Sequence, residues 1–148
     1  MQQVAEIMTR GVATLSPDET VLRAAQLMDE LNVGAIPVCD QDDLVGMITD
    51  RDITIRVVAT GATPDSKRVS DVMSTDVEWC FDDQPVDEIM EQMRDAQIRR
   101  LPVKDHNTQK LVGILSLGDL ATKHSAEVDR TLSDISTPSE PARPPLNS

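Results

Sequence analysis

The chain has 148 residues, of which 39% are hydrophobic and 27% charged. That is enough to build a core in one ordinary domain or two very small ones, and it excludes a wholly disordered chain. Fourteen basic against 26 acidic side chains give a net charge of -12, spread along the length. A field of that sign repels a nucleic-acid backbone. With aromatics reduced to Trp79 and Phe81, there is also no platform on which single-stranded bases would stack. No run of apolar residues reaches the ~18 needed for a membrane-spanning helix. No basic-then-apolar leader opens the chain, so a cytoplasmic location is expected. Cys39 and Cys80 form no CxxC pair, and His106 and His124 stand apart, so no metal site is expected.

In chain order, Val12–Leu15 has the composition of a strand. Ser16-Pro17-Asp18-Glu19 has the proline and acids of a helix start. Val21, Ala24, Ala25, Met28 and Leu31 follow at helical spacing. Strands are predicted at Ala35–Cys39 and Leu44–Thr49 around a polar turn, with a second helix beginning near Asp52. Gly61-Ala62-Thr63-Pro64-Asp65 reads as a connector. The same rhythm then recurs: a strand at Val77–Cys80, then Val86, Ile89, Met90, Met93 and Ala96 at helical spacing. Strands at Leu101–Lys104 and Leu111–Ser116 and a helix near Asp119 complete it.

The recurrence is a sequence repeat. Val4-Ala5-Glu6-Ile7-Met8-Thr9 matches Val69-Ser70-Asp71-Val72-Met73-Ser74 at an offset of 65, and Ile36-Pro37-Val38 matches Leu101-Pro102-Val103. At an offset of 67, Leu44-Val45-Gly46-Met47-Ile48-Thr49-Asp50-Arg51-Asp52-Ile53 matches Leu111-Val112-Gly113-Ile114-Leu115-Ser116-Leu117-Gly118-Asp119-Leu120. The fold class is therefore α/β (α+β): two β-α-β-β-α units, residues 1–64 and 65–124. Each is too small to be comfortable alone, so they are expected to pack with pseudo-twofold symmetry. Residues 125–148 form an extension, with Ser125–Ser136 a possible continuation of helix. From about residue 137 its prolines and polar residues predict disorder.

The paired Ile/Leu-Pro-Val strands and the paired hydrophobic-Gly-hydrophobic-x-Thr/Ser-x-x-Asp segments resemble the CBS domain in its tandem form, the Bateman module. The resemblance spans residues ~4–124. Gly34-Ala35-Ile36-Pro37-Val38-Cys39 with Thr49-Asp50-Arg51-Asp52-Ile53 is most similar to stand-alone bacterial CBS pairs, including the hypoxic-response type. The resemblance implies a regulatory, non-catalytic module that binds AMP, ADP, ATP or S-adenosylmethionine between its repeats. It implies no obligatory cofactor, pairing into a homodimer, and signalling to a regulated partner protein whose identity it leaves open.

Within that frame, Thr49 and Asp52, and their counterparts Ser116 and Asp119, are candidate ribose-binding groups, because a carboxylate accepts from two hydroxyls. The alternative is that Thr/Ser-x-x-Asp is a helix capping box; both roles can coexist. Arg99 and Arg100 are the leading phosphate-binding candidates, since a guanidinium fork matches phosphate oxygens. Arg51, Arg56, Lys123 and His124 could assist, and for all six residues the alternative is a solvated surface cation pairing with nearby acids. The adenine is expected against residues 12–15 and 77–80. Met28, Met90 and Met93 are expected in the core. Cys39 and Cys80 read as buried structural thiols with redox response a lesser possibility, and His106 reads as solvated. A ligand-free interaction or scaffold protein is the alternative function. No nucleophile motif supports an enzyme.

Overall fold

The structure, a computed structural model, describes residues 2–123. The expectations for His124 and for the extension at 125–148 lie outside the described residues. A four-residue helix α1 (Val4–Ile7) leads into a two-residue strand β1 (Thr9–Arg10). The first unit follows as α2 (Val21–Leu31), β2 (Ala35–Asp40), β3 (Asp43–Thr49) and α3 (Asp50–Ile53), which runs on as a π-helical turn at Thr54–Val58. A 3₁₀ turn (Pro64–Ser66) connects to α4 (Val69–Val72). The second unit is β4 (Cys80–Phe81), α5 (Val86–Ala96), β5 (Arg100–Lys104), β6 (Leu111–Ser116) and α6 (Leu117–Lys123).

The repeat offsets carry over to the hydrogen-bonded ladder. One sheet has the order β1-β6-β5-β4, with Thr9 opposite Ile114 and Cys80 parallel to Val103. The β2-β3 pair has the same two neighbours, reduced to single bridges: Ser74 against Met47 and Leu15 against Val38. The expected strands at Val12–Leu15 and Val77–Cys80 therefore shrink to Leu15 and to Cys80–Phe81. Val12, Ala13, Val77 and Glu78 leave the ladder to line clefts instead.

The helix start at Ser16–Glu19 is also displaced. Glu19 folds back to accept from the Ser16 backbone N–H (2.7 Å), and this separate turn precedes the true N-cap. Thr20 is that cap, its hydroxyl accepting from the Arg23 N–H at 3.2 Å. Helices α2 and α5 both end on a left-handed residue, Asn32 and Gln97, each with φ 55°.

Packing exchanges the two leading segments. Val4, Ile7 and Met8 are buried with Val86, Ile89, Met90, Met93, Leu101 and Leu115 of the second unit. Val69 and Val72 are buried with Val21, Ala24, Met28, Ile36 and Ile48 of the first. Each exchanged segment crosses a glycine. A Cβ on Gly113 would meet the Thr9 carbonyl at 2.6 Å, and one on Gly46 would meet the Ser74 carbonyl at 2.8 Å. The glycine of the repeated hydrophobic-Gly-hydrophobic pattern thus admits a backbone crossing. The three methionines expected in the core are buried.

His106 is exposed, as expected, but its ring makes defined contacts. Its ring stacks on Phe81 at 4.2 Å between centroids, and its Nδ1 lies 2.6 Å from an Asp83 carboxylate oxygen. With Trp79 edge-on to Phe81 and the Lys104 ammonium over Trp79, it ends a row of four side chains.

Candidate ligand-binding clefts

Two clefts open where the units meet. The larger, of about 750 Å³, is lined from the second unit by Ser74, Asp76, Val77, Glu78, Ile98, Arg99, Arg100, Pro102 and Ser116–Gly118. From the first unit come Ala35, Met47 and Thr49. The smaller, of about 240 Å³, is lined by Thr9, Val12, Ala13, Leu31, Val33, Ala35, Ile36, Arg100, Ile114, Ser116 and Asp119. Under the 65 and 67 offsets, Thr9, Val12, Ala13 and Val33 correspond to Ser74, Val77, Glu78 and Ile98. Ile114 and Ser116 likewise correspond to Met47 and Thr49, so the clefts are pseudo-twofold mates.

Both Thr/Ser-x-x-Asp segments are reciprocal capping boxes. The Thr49 hydroxyl accepts from the Asp52 N–H at 3.1 Å, while Asp52 Oδ2 accepts from the Thr49 N–H at 3.0 Å. Ser116 and Asp119 repeat this at 3.1 and 3.0 Å. Capping uses one carboxylate oxygen of each pair. The other differs between copies. Asp119 Oδ1 accepts from the Thr9 hydroxyl at 2.9 Å; Asp52 Oδ1 has no such bond among the described residues. Thr49 lines the larger cleft, Ser116 both, and Asp119 the smaller; Asp52 caps α3 outside the lining of either.

The cations divide as well. Arg99 and Arg100 stand at the entrance of β5 and line the larger cleft; Arg100 also lines the smaller. Lys123 is turned away, its Nζ donating to the Ile7 carbonyl at 3.1 Å. Its repeat mate Arg56 donates to the Val72 carbonyl at 2.8 Å. Each cation donates to orphan carbonyls at the end of an exchanged short helix, and neither lines the two clefts. Arg51 is exposed on α3 and lines neither cleft. Sequence reasoning missed Asp76 and Glu78, which put two acids in the lining with the two arginines. Glu78 accepts from the Gln92 side chain at 2.9 Å. It also missed Thr9, whose only sequence trace is its alignment with Ser74.

Both thiols are buried and free. Burial, reinforced by Asp42 and Asp43, pushes Cys39 up to about 11, and burial with Asp82 pushes Cys80 up to about 12. Both shifts disfavour the thiolate on which cysteine redox chemistry depends. Among the described residues, no group of three or more His, Cys, Asp or Glu side chains is arranged to hold a metal, and no helix is long and apolar enough to cross a membrane.

The CBS domain family matches this chain twice, over residues 4–59 and 69–125. The chain is a member of the CBS-domain family. It is similar to the CBS domain-containing protein YhcV of Bacillus subtilis, 47% identical over 121 residues, covering 82% of this chain and 84% of YhcV. It is 35% identical over 122 residues to hypoxic response protein 1 of Mycobacterium tuberculosis, covering 82% and 84%. A crystal structure of hypoxic response protein I with two coordinated zinc ions superposes with a TM-score of 0.74, at 34% identity over 82% of this chain and 98% of that one. The structure of CBSX2 in complex with AMP has a TM-score of 0.71, at 26% identity over 82% and 95%. CBS pairs are regulatory modules that often bind adenosine ligands, and stand-alone pairs are typically non-catalytic.

Proposed function

We propose that the larger cleft binds an adenosine-containing ligand and that occupancy sets the arrangement of the two CBS units, which a partner protein reads. One observation carries this. The fold brings the Arg99–Arg100 pair of one unit into the same cleft as Thr49 of the other. Arg99 and Arg100 hold the anionic end of the ligand, whether phosphate or carboxylate. The hydroxyls of Thr49 and Ser116 serve the sugar. Ile98, Met47, Val77 and Pro102 provide an apolar wall for the base in place of aromatic stacking. That CBSX2 holds AMP supports the ligand class. The lining carries two arginines against Asp76 and Glu78, so it balances in charge. Such a cleft favours AMP or S-adenosylmethionine over ATP, whose extra phosphates the two acids repel.

Melting the protein with millimolar AMP, ADP, ATP, S-adenosylmethionine and NADH tests the reading. A ligand at 100 times its Kd adds about 2.7 kcal/mol of stability. No shift with any of them favours a ligand-free scaffold, a reading supported by Asp52 and Asp119 already acting as helix caps. Self-association belongs to the same proposal. All four large apolar side chains exposed among the described residues (Leu22, Leu31, Ile55 and Val58) lie in the first unit. A light-scattering mass of two chains, reduced to one by Ile55→Asp with Val58→Asp, is the expected result.

A further inference from the structure

The two clefts are mates in their repeat positions, though not in volume, and they share one cation. Arg100 lines both. So does Ala35, its repeat counterpart; Ala35 faces Thr49 across β2-β3 as Arg100 faces Ser116 across β5-β6. These two positions therefore lie between the clefts, on the pseudo-twofold. A symmetric pair would place a guanidinium at each; this chain has one guanidinium and one methyl. The larger cleft adds Arg99, whose counterpart is Gly34, while the smaller has Arg100 as its sole lining cation and Asp119 as a lining anion.

We propose that Arg100 couples the clefts negatively, so that a chain takes one phosphate-bearing nucleotide, in the larger cleft. A phosphate bound there engages Arg99 and Arg100 together. A second phosphate in the smaller cleft faces the Asp119 carboxylate with no cation left to itself. It would have to draw Arg100 away from the first. Burying a phosphate without a paired cation is unfavourable, so the second nucleotide binds at least tenfold more weakly. A nucleoside without phosphate makes no claim on Arg100 and escapes the exclusion. The inference rests on the adenosine reading and specifies its stoichiometry and coupling.

Titration calorimetry of the full chain with AMP and with adenosine tests it. The expected result is one AMP but two adenosines per chain, with AMP stoichiometry rising to two in Ala35→Arg, which gives each cleft its own guanidinium. Two equivalent AMP sites in the unmodified chain overturn the coupling. One adenosine per chain also overturns it, because the smaller cleft is then closed by something other than charge; this arm needs no variant to fold. A folded Ala35→Arg that still takes one AMP overturns it as well. Binding of neither AMP nor adenosine to the unmodified chain overturns the adenosine reading itself, a result distinct from the other three.

Discussion

Replacing Gly113 with alanine tests whether the crossing of the exchanged segment holds the two units together. The new methyl would lie 2.6 Å from the Thr9 carbonyl oxygen and 3.0 Å from Met8 Sδ, and ordinary contact begins near 3.4 Å. Met8 can rotate aside; the Thr9 backbone cannot, because Thr9 and Arg10 are paired to Ile114 and Gly113. Strand β1 must therefore lift by about 0.8 Å, taking with it α1, whose Val4 and Ile7 are buried in the second core. Overpacking of this kind costs about 1–3 kcal/mol. For a chain of this size, about 2 kcal/mol lowers the melting temperature by ~4–8 °C. Gly46→Ala, with contacts of 2.7 Å to Met73 Sδ and 2.8 Å to the Ser74 carbonyl, goes the same way. Gly118→Ala is the control. Its nearest foreign atom is Ser116 Oγ at 3.5 Å, and it sits in α6, where alanine is favoured over glycine by roughly 0.5–1 kcal/mol. Differential scanning calorimetry of the three variants decides. A Gly113→Ala protein that melts at or above the unmodified chain refutes the crossing argument.

Asp119→Ala loses a cap and the Thr9 bond, Asp52→Ala a cap alone. Urea unfolding should show about 2 kcal/mol lost in the first and about 1 in the second, and equal losses would rule out a role for the Thr9 hydroxyl. Arg56→Ala and Lys123→Ala remove the carbonyl clamps on α4 and α1 and should each cost about 1 kcal/mol while leaving AMP affinity unchanged. Arg99→Ala should do the reverse, weakening AMP at least tenfold by calorimetry. The cysteines fix an alkaline limit. Their folded pKa values exceed the ordinary 9.0, so the unfolded state loses its thiol protons first as pH rises. Stability is expected to be undiminished by the thiols below pH 9. It should then fall between pH 9 and about 11 for Cys39, and about 12 for Cys80, with the fall absent in Cys39→Ala/Cys80→Ala.

What the sequence reveals is what is written locally. The caps at Thr49 and Ser116, the core methionines of α2 and α5 and the β-hairpins each occupy a short window with one dominant signal. The repeat offsets extend this further than any single element. They relate the Leu15–Val38 bridge to Cys80–Val103, Ser74–Met47 to Thr9–Ile114, and the Arg56 clamp to the Lys123 clamp. Helices α1 and α4 escape because four residues complete barely one turn, too little for a 3.6-residue period to register. Their burial comes wholly from the other unit. For the same reason Lys123 and Arg56 read as free cations on a helix face. The carbonyls they reach are 116 and 16 residues away in sequence. Glu78 sits in the predicted strand Val77–Cys80 and Asp76 just before it, and only the assembled cleft brings them beside the two arginines.

On the proposed adenosine reading, the exchange of leading segments is what links occupancy of the larger cleft to the setting of the two units. Ser74 follows directly on α4, which is buried in the first core, while Asp76 and Glu78 lead into β4 of the second. A ligand touching Ser74, Asp76–Glu78, Arg99–Arg100 and Thr49 therefore contacts both units and the segment that passes between them. Its contact energy depends on how the units are set, and that dependence is what a switch requires. A ligand binding one setting tenfold more tightly than another shifts their equilibrium by ~1.4 kcal/mol; one that binds both equally shifts nothing. In the smaller cleft the Thr9–Asp119 bond ties β1 to the start of α6, both of which pack on the second core. Breaking that bond with Thr9→Val should loosen the smaller cleft. AMP affinity of the larger cleft, measured by calorimetry, is expected to be unchanged in that variant, because Thr9 does not line it.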